Sequence, residues 1–422
     1  MPERTETADV VVVGCGPGGA VLAYLLARSG VDVVLVERAA TFEREYRGFG
    51  WNPGVIRLFD EMDLLEDVLA LSHETVTDGA FSLYGEEISV LDFDLLDTDY
   101  PYALMMEQPA LLECLVDNAS TYDNFTFYPA TTVRDIPTNT SERTRGVEAR
   151  DRNADEDVAF ETQCVVGADG RYSTVRGSVG IDPGLYQSPI DLVWFKLPSG
   201  VVDAGAQGRI DRNGVLLYFG LGGGDLQIGY LVRSGEWSSI REGGFDAFSQ
   251  QVAEIDPHVG SAMGAHLDGF RDTTLLDVAP GIADTWCRDG LLLIGDAAHT
   301  ASPIGAQGNP LAVEDAVVAH DLLVDALTDT DDILDTEILC ELETRRRTHV
   351  EQVISLQRRA ASNLAFWLDY GGYVPPRLVR GVTKMAGWIV PRSRWVRRLI
   401  ETFALGDRSV SVARAHFTEY PV

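Results

Sequence analysis

Residues 9–37 set out strand, glycine turn, helix, strand and acid in immediate succession, an order that few folds accept. Asp9 to Val13 reads as an apolar strand and is followed by Gly14-Cys15-Gly16-Pro17-Gly18-Gly19. An apolar helix from Ala20 to Ser29 comes next, then a second strand from Val31 to Val36 that ends at Glu37. This is the βαβ unit of a dinucleotide fold. Gly14 permits the tight turn, Gly16 lets the backbone approach a pyrophosphate, and Gly19 lets the helix pack closely on the strand. Around Pro17 and Gly18 the helix N-terminus offers free N–H groups and a positive dipole end to phosphates. Glu37, with Arg38 beside it, is placed to accept hydrogen bonds from a ribose diol. The unit by itself does not choose between dinucleotides.

The bulk properties narrow the remaining classes. A chain of 422 residues is too long for one simple core, so two or three structural units are expected. The opening MPERTETADV has neither the basic start nor the apolar run of a secretory signal, and no stretch of about 18 uncharged apolar residues occurs. A cytoplasmic location is expected. Five scattered cysteines without a CxxC pair suggest neither a zinc site nor a disulfide framework, and the histidines form no metal spacing. The net charge of −31 argues against nucleic-acid partners. The acids are dispersed along the chain and the only lysines are Lys196 and Lys384. Such a surface suits solubility in a salt-rich, halophilic cytoplasm.

Two later motifs resolve the choice of dinucleotide. Cys164 to Arg176 (CVVGADGRYSTVR) reads as strand, sharp turn and helix start. Leu291 to His299 (LLLIGDAAH) is a strand ending in Gly295-Asp296, followed by Ser302-Pro303-Ile304-Gly305-Ala306-Gln307-Gly308. With these three motifs in order, residues 8 to 360 resemble the class A flavoprotein monooxygenases, the fold of p-hydroxybenzoate hydroxylase. Within that group the chain looks like the branch of ubiquinone-biosynthesis hydroxylases. The resemblance implies a Rossmann-like FAD-binding α/β domain of the glutathione-reductase type. It also implies an inserted antiparallel-sheet substrate domain.

The resemblance further implies FAD as cofactor and NADH or NADPH as transient reductant. Gly14, Gly16, Gly19 and Glu37 match the family's ADP-binding fingerprint, and Arg47-Gly48 match the arginine lying by the flavin. Gln108, ahead of a helix from Pro109 to Ala119, matches the residue that reaches the ribityl chain. Asp169-Gly170 match an Asp-Gly motif tied to FAD and NAD(P)H, and Asp296 matches the aspartate on the ribityl hydroxyls. Pro303, Gly305, Gln307 and Gly308 fall in the loop bordering the flavin ring and are the candidate catalytic positions. Asp315-Ala316 match a pair in the helix behind it. The family usually reads G-x-G-x-N in this loop; here Asn309 follows Gly308 directly and Pro310 takes the asparagine's place. Proline has no N–H to give, so the contact to the flavin must change, with Asn309 as substitute. His299 is read as a packed histidine at a helix start.

The motif positions make the cofactor domain discontinuous: 1–78, 101–181 and 281–336. A hairpin at 79–100 and the alternating strands of 182–280 would form the substrate sheet, with 337–422 helical. Strands are expected at Val193 to Leu197, Val215 to Leu221 and Leu226 to Val232, with a shorter pair near Phe81 to Tyr84 and Ile88 to Phe93. Trp194, Phe219, Gln227 and Tyr230 are candidate substrate-lining residues. Residues 371–400 carry seven basic residues and no acid, interleaved with Trp388 and Trp395. This stretch is a candidate for peripheral membrane contact or for packing against the acidic body.

The reaction implied is reduction of the flavin by NAD(P)H, formation of a C4a-hydroperoxyflavin with O2, and hydroxylation or epoxidation of a small molecule. That substrate is aromatic, quinone-like or isoprenoid. A prenyl-chain reductase and a non-catalytic binding scaffold on the same fold are the alternatives. The sequence does not fix the oligomeric state.

Overall fold

In the computed structural model, the described residues are 2–43, 49–139, 143–201, 207–375, 379, 381 and 394–418. Arg47 and Gly48, and the basic positions Arg377, Arg380, Lys384 and Arg392, lie outside them.

Continuous apolar runs such as VVVV and VVLV cannot keep one face in water, so they form strands covered on both sides. Leu291–Leu293, Glu156–Gly167, Arg4–Val13, Val33–Val36 and Phe125–Tyr128 lie side by side in that order, all parallel. Cys287–Arg288 borders the first of them, and Gly146–Asp151 and Thr131–Asp135 extend the sheet from Glu156–Gly167. Because the five central strands share one direction, their C-terminal ends line one edge. Gly14, Glu37, Asp169 and Asp296 all follow directly from those ends. That topology, not sequence proximity, brings the motifs together.

Helix Pro17–Arg28 is buried along nearly its whole length, packed between the sheet and helix Gly308–Asp329. Two glycines permit the closeness. A Cβ on Gly19 would stand 2.0 Å from Gly14 O, and one on Gly18 would stand 2.9 Å from Ala312 O. Helix Thr336–Tyr370 also packs against helix Gly308–Asp329.

The second sheet runs in the order Thr273–Leu276, Ile190–Pro198, Asp225–Arg233, Gly214–Gly220, Gln207–Asp211, Asp78–Leu83 and Glu86–Asp92. It is antiparallel apart from the pairing of Gln207–Asp211 with Asp78–Leu83. The hairpin at 78–92 therefore joins the sheet of 190–276, as its alternation predicts. One face, with Val193, Phe195, Leu216, Ile228 and Tyr230, packs on helices Trp237–Glu242, Phe245–Ile255 and Pro257–His266. The other face, with Leu192, Trp194, Leu217, Phe219 and Leu231, packs toward Phe49, Ile304, Ala361 and Ala365.

One expectation is overturned here: Cys287 and Cys340 form a disulfide. Their separation of 53 residues hides the pair in the sequence. It closes because helix Thr336–Tyr370 packs across strand Cys287–Arg288. Among the described residues, no helix is long and apolar enough to cross a membrane.

Candidate active site

The glycine turn is built as its spacing requires. Gly14 has φ +103° and its missing Cβ would lie 2.6 Å from Ala168 O, so this turn accepts no side chain. Gly16, the N-cap of helix Pro17–Arg28, is extended and has nothing within 4 Å of a built Cβ. Its backbone therefore faces open space, where a ligand can approach. The buried Glu37 carboxylate accepts from Cys15 N–H (2.8 Å) and from Ala39 N–H (2.8 Å), which fixes the acid against the turn. Arg38 is exposed beside it, and its carbonyl accepts from Arg152.

At the next strand end, the Asp169 carboxylate accepts from Ser173 Oγ (2.5 Å) and from the N–H groups of Thr174 (2.6 Å) and Val175 (3.2 Å). It thus holds the start of helix Thr174–Ser178, and Gly170 makes the turn at φ +85°. Burial raises the Asp169 pKa, against the lowering effect of these hydrogen bonds.

The third strand end leads into Gly295-Asp296. Gly295 sits at φ +56°, with its missing Cβ 2.9 Å from Ala312 Cβ. Gly308 begins helix Gly308–Asp329, and a Cβ there would come within 4.0 Å of Asp296 Oδ1. Gln108, 201 residues away in sequence, reaches Asn309: its Nε2 donates to Asn309 Oδ1 at 3.4 Å. Pro310 costs the helix nothing, because Gln307 O accepts from Leu311 N–H and the proline sits within the first turn, where N–H groups have no helical partner. Ahead of that helix, residues 303–307 form a short loop built on a 3-10 turn at Ile304–Ala306, with Gly305 and Ala306 exposed. Pro303 leads into it, and Gln307 is buried at its end.

Behind this loop lies an ionic cluster that the sequence does not announce. Arg346, fully buried on helix Thr336–Tyr370, pairs with Glu314, with Asp315 Oδ1 (3.0 Å) and with Asp407 Oδ2 (3.0 Å). Asp315 Oδ2 accepts from Gly295 N–H (3.0 Å) and meets His299 Nε2 at 2.6 Å. Burial pushes the Asp315 pKa up, but His299 and Arg346 outweigh it and hold it down to about 2. His299 is buried with its ring against Trp286, a packed histidine as expected, but it stands in strand His299–Thr300, paired with Gly281–Ile282, and not at a helix start. Asp315 was legible as half of a motif pair; Arg346 had no local signal at all.

On the second sheet, Trp194, Phe219 and Gln227 share the face turned toward the loop, since Phe219 pairs directly with Gln227 and Trp194 with Gly229. Gly229 leaves room for the Trp194 ring, which would lie 2.8 Å from a Cβ there. Phe49 completes an aromatic cluster at 5.5 Å from Trp194 and 4.9 Å from Phe219. Gln227 is buried and donates to Phe195 O (3.2 Å). Tyr230 requires a correction: it lies on the opposite face, against Phe248 at 5.4 Å, because residues an odd number apart on a strand alternate faces. Lys196, on the loop-facing side, ties the sheet to Glu107 at the start of helix Gln108–Ala119.

These residues fit a flavin dinucleotide. Gly16 presents bare backbone at one helix N-terminus, and Gly308 presents it at another. Near the second, Gln307 Oε1 and Asn309 Nδ2 are buried with no partner among the described residues, an acceptor and a donor at the same loop. The model of the FAD binding domain family matches residues 7–357. The chain belongs to that family. This flavoprotein is also 33% identical over 419 residues to 6-methylpretetramide 4-monooxygenase of Streptomyces rimosus, covering 99% of this chain and 97% of that one. A rifampicin monooxygenase of Rhodococcus hoagii is 28% identical over 325 residues, 73% of this chain and 62% of its own length. Among solved structures, an anhydrotetracycline hydroxylase of Streptomyces rimosus superposes with a TM-score of 0.73 at 22% identity, covering 98% of this chain and 78% of that one. The flavoprotein is an FAD-dependent oxidoreductase of the monooxygenase type.

Proposed function

We infer that this flavoprotein uses NAD(P)H and O2 to hydroxylate a fused-ring aromatic molecule of the polyketide type. One observation carries the substrate class: the aromatic cluster of Phe49, Trp194 and Phe219, on the sheet face that packs with Ile304 of the loop. A flat, electron-rich substrate finds ring faces there, and apolar walls of this kind bury planar ligands well. The names of the relatives support the reading, since several act on tetracycline-type or rifampicin-type molecules.

In this reading the glycine turn and Glu37 hold the adenosine end of FAD, with Gly14, Gly16, Pro17, Gly18, Gly19 and Arg38 around it. Gln108, Gly295 and Asp296 hold the ribityl chain, and Pro303, Gly305, Gln307, Gly308 and Asn309 border the ring. Asp169 and Gly170 stand at the strand end between these groups. Bound FAD supplies the redox chemistry, passing two electrons from NAD(P)H to O2 so that one oxygen atom enters the substrate and the other leaves as water. The aromatic wall orients the ring to be hydroxylated, and the covered sheet face excludes water. The boundaries 1–78, 101–181 and 281–336 for the FAD part, and 79–100 with 182–280 for the substrate part, follow the same reading.

The test begins with the visible spectrum of the purified protein and its bleaching by NADPH or NADH with and without oxygen. A fused-ring phenol is then supplied under ¹⁸O2. One labelled oxygen atom in the product supports the proposal. Reduction of the substrate without label would favour the prenyl-reductase alternative, and a protein that cannot be loaded with FAD would leave a binding scaffold.

A further inference from the structure

The loop at 302–307 holds two consecutive residues in the left-handed region, Gly305 at φ +73° and Ala306 at φ +53°. Alanine adopts that region at a cost, and such geometry persists where the surroundings over-determine it. Gly305 has no side chain to hold it there, and Ala306 is exposed. Two side-chain amides bond the loop directly, and a third supports it through Phe403.

Gln357, fully buried on helix Thr336–Tyr370, accepts from Ser302 N–H (3.0 Å) and donates to the carbonyls of Ser302 (2.9 Å) and Ile304 (2.7 Å). Both of its N–H donors are used. Gln307 folds back to donate to Gly305 O (2.7 Å) and also reaches Phe403 O (3.0 Å). Asn52, the N-cap of helix Pro53–Glu61, accepts from Val55 N–H (2.9 Å) and donates to the same Phe403 carbonyl (2.8 Å). The Phe403 ring covers Gly305, with Cδ1 3.3 Å from a Cβ built there. Phe403 belongs to helix Arg394–Leu405, beyond the part of the chain that matches the family model. The segment after it is anchored separately, by Asp407 on Arg346 and by Val412 N–H on Glu61.

We propose that Gln357, Gln307 and Asn52 are positioning residues that set the loop 303–308 against the flavin, and that through Phe403 the C-terminal helix is a working part of the active site. This rests on the reading that the flavin ring lies along that loop. The alternative is a purely structural clamp, which would stabilise the fold without affecting the flavin.

The test uses full-length holoprotein with Gln357→Met, which keeps volume and removes all three hydrogen bonds, and Asn52→Asp. The second retains the helix cap and turns the donor to Phe403 O into a carboxylate oxygen that repels that carbonyl, so it stays informative if the first fails to fold. Amide exchange at 302–307, the flavin absorption spectrum and the flavin midpoint potential are compared with the unmodified protein. Exchange at the loop is expected to rise about tenfold or more in Gln357→Met, which leaves three loop groups without a partner, and by a smaller factor in Asn52→Asp, where Gln307 still donates to Phe403 O; spectrum and potential shift in both. Faster loop exchange with an unchanged spectrum and potential would overturn the proposal in favour of the structural clamp. Unchanged exchange would overturn it outright. If FAD gives 303–308 no protection in the unmodified protein, the placement of the flavin and this inference fall together. If FAD protects the loop but the variants keep its spectrum and potential, only the inference falls.

Discussion

Two glycines with one residue between them, Gly14 and Gly16, separate what the turn needs to fold from what it needs to bind. Gly14→Ala forces a Cβ to 2.6 Å from a backbone carbonyl at φ +103°, and this is expected to cost about 3 kcal/mol or more of stability. Gly16→Ala meets nothing and has φ −86°, so its effect on the apoprotein should stay within about 1 kcal/mol. The same methyl projects where a pyrophosphate would approach, so FAD affinity should drop at least about tenfold. Urea unfolding of the apoprotein and FAD titration by fluorescence measure the two effects apart. Unaltered FAD binding in Gly16→Ala would remove this turn from the cofactor site. A second single-residue case is His320, buried with Nε2 at 2.7 Å from Ser29 Oγ and its ring edge-on to His416. Burial, then His416, lower its pKa to about 3, against the raising effect of Asp321. A depressed histidine leaves the folded state neutral while the unfolded chain takes up a proton. Its stabilisation is therefore complete above about pH 6.5 and is lost as pH falls toward the folded pKa. Between pH 7.5 and 5 that amounts to about 2 kcal/mol. In His320→Gln, which cannot titrate, this part of the pH slope should vanish from denaturation curves. An unchanged slope would place the titration elsewhere.

At the scale of elements, two helices and a C-terminal segment meet at one buried guanidinium. Arg346 joins helix Thr336–Tyr370 to Glu314 and Asp315 of helix Gly308–Asp329 and to Asp407. Arg346→Met would strand these acids in the core, a change that costs about 3–5 kcal/mol in buried pairs. Thermal melts should show it, and a melting temperature within a degree of the parent would mean that water reaches the site. This cluster also marks where sequence reading stops. The motifs at Gly14–Gly19, Cys164–Arg176 and Leu291–His299 are legible because each is a strand end with its own turn chemistry, complete within about ten residues. Arg346, Gln357 and the Cys287–Cys340 bond act across distances that only packing closes. Asn52 and Phe403 are 351 residues apart in sequence. Tyr230 was misplaced for a different reason: period-two alternation sorts a strand into two faces but does not say which one faces the cofactor domain. Pro310 departs from the family pattern, yet its place in the first helical turn makes it harmless to the backbone. Deleting 371–422 would remove Phe403 and Asp407 as well, so liposome binding is better probed by arginine substitutions within 371–400.

At the scale of the whole molecule, the net charge of −31 confronts ligands that are themselves anionic. FAD and NAD(P)H carry phosphates, and a strongly negative surface repels them over a distance set by ionic strength. The Debye length falls from about 10 Å at 0.1 M salt to about 3 Å at 1 M. Most described ion pairs, such as Arg134–Asp157 and Arg271–Asp268, are exposed and contribute little, so screening them has a small cost. Screening of the general repulsion therefore dominates. The KM for NADPH should fall as KCl rises from about 0.1 M to about 1 M, with most of the change complete by 1 M, where the Debye length is already a single contact distance. Steady-state oxidation of NADPH across that range measures it, with thermal melts run in parallel to separate binding from folding. An enzyme that meets its reductant through a local basic patch behaves the opposite way, with KM rising as salt competes for the phosphates. That outcome would locate a cationic groove strong enough to override the global charge, and it would argue against high salt as the condition for which this surface is built.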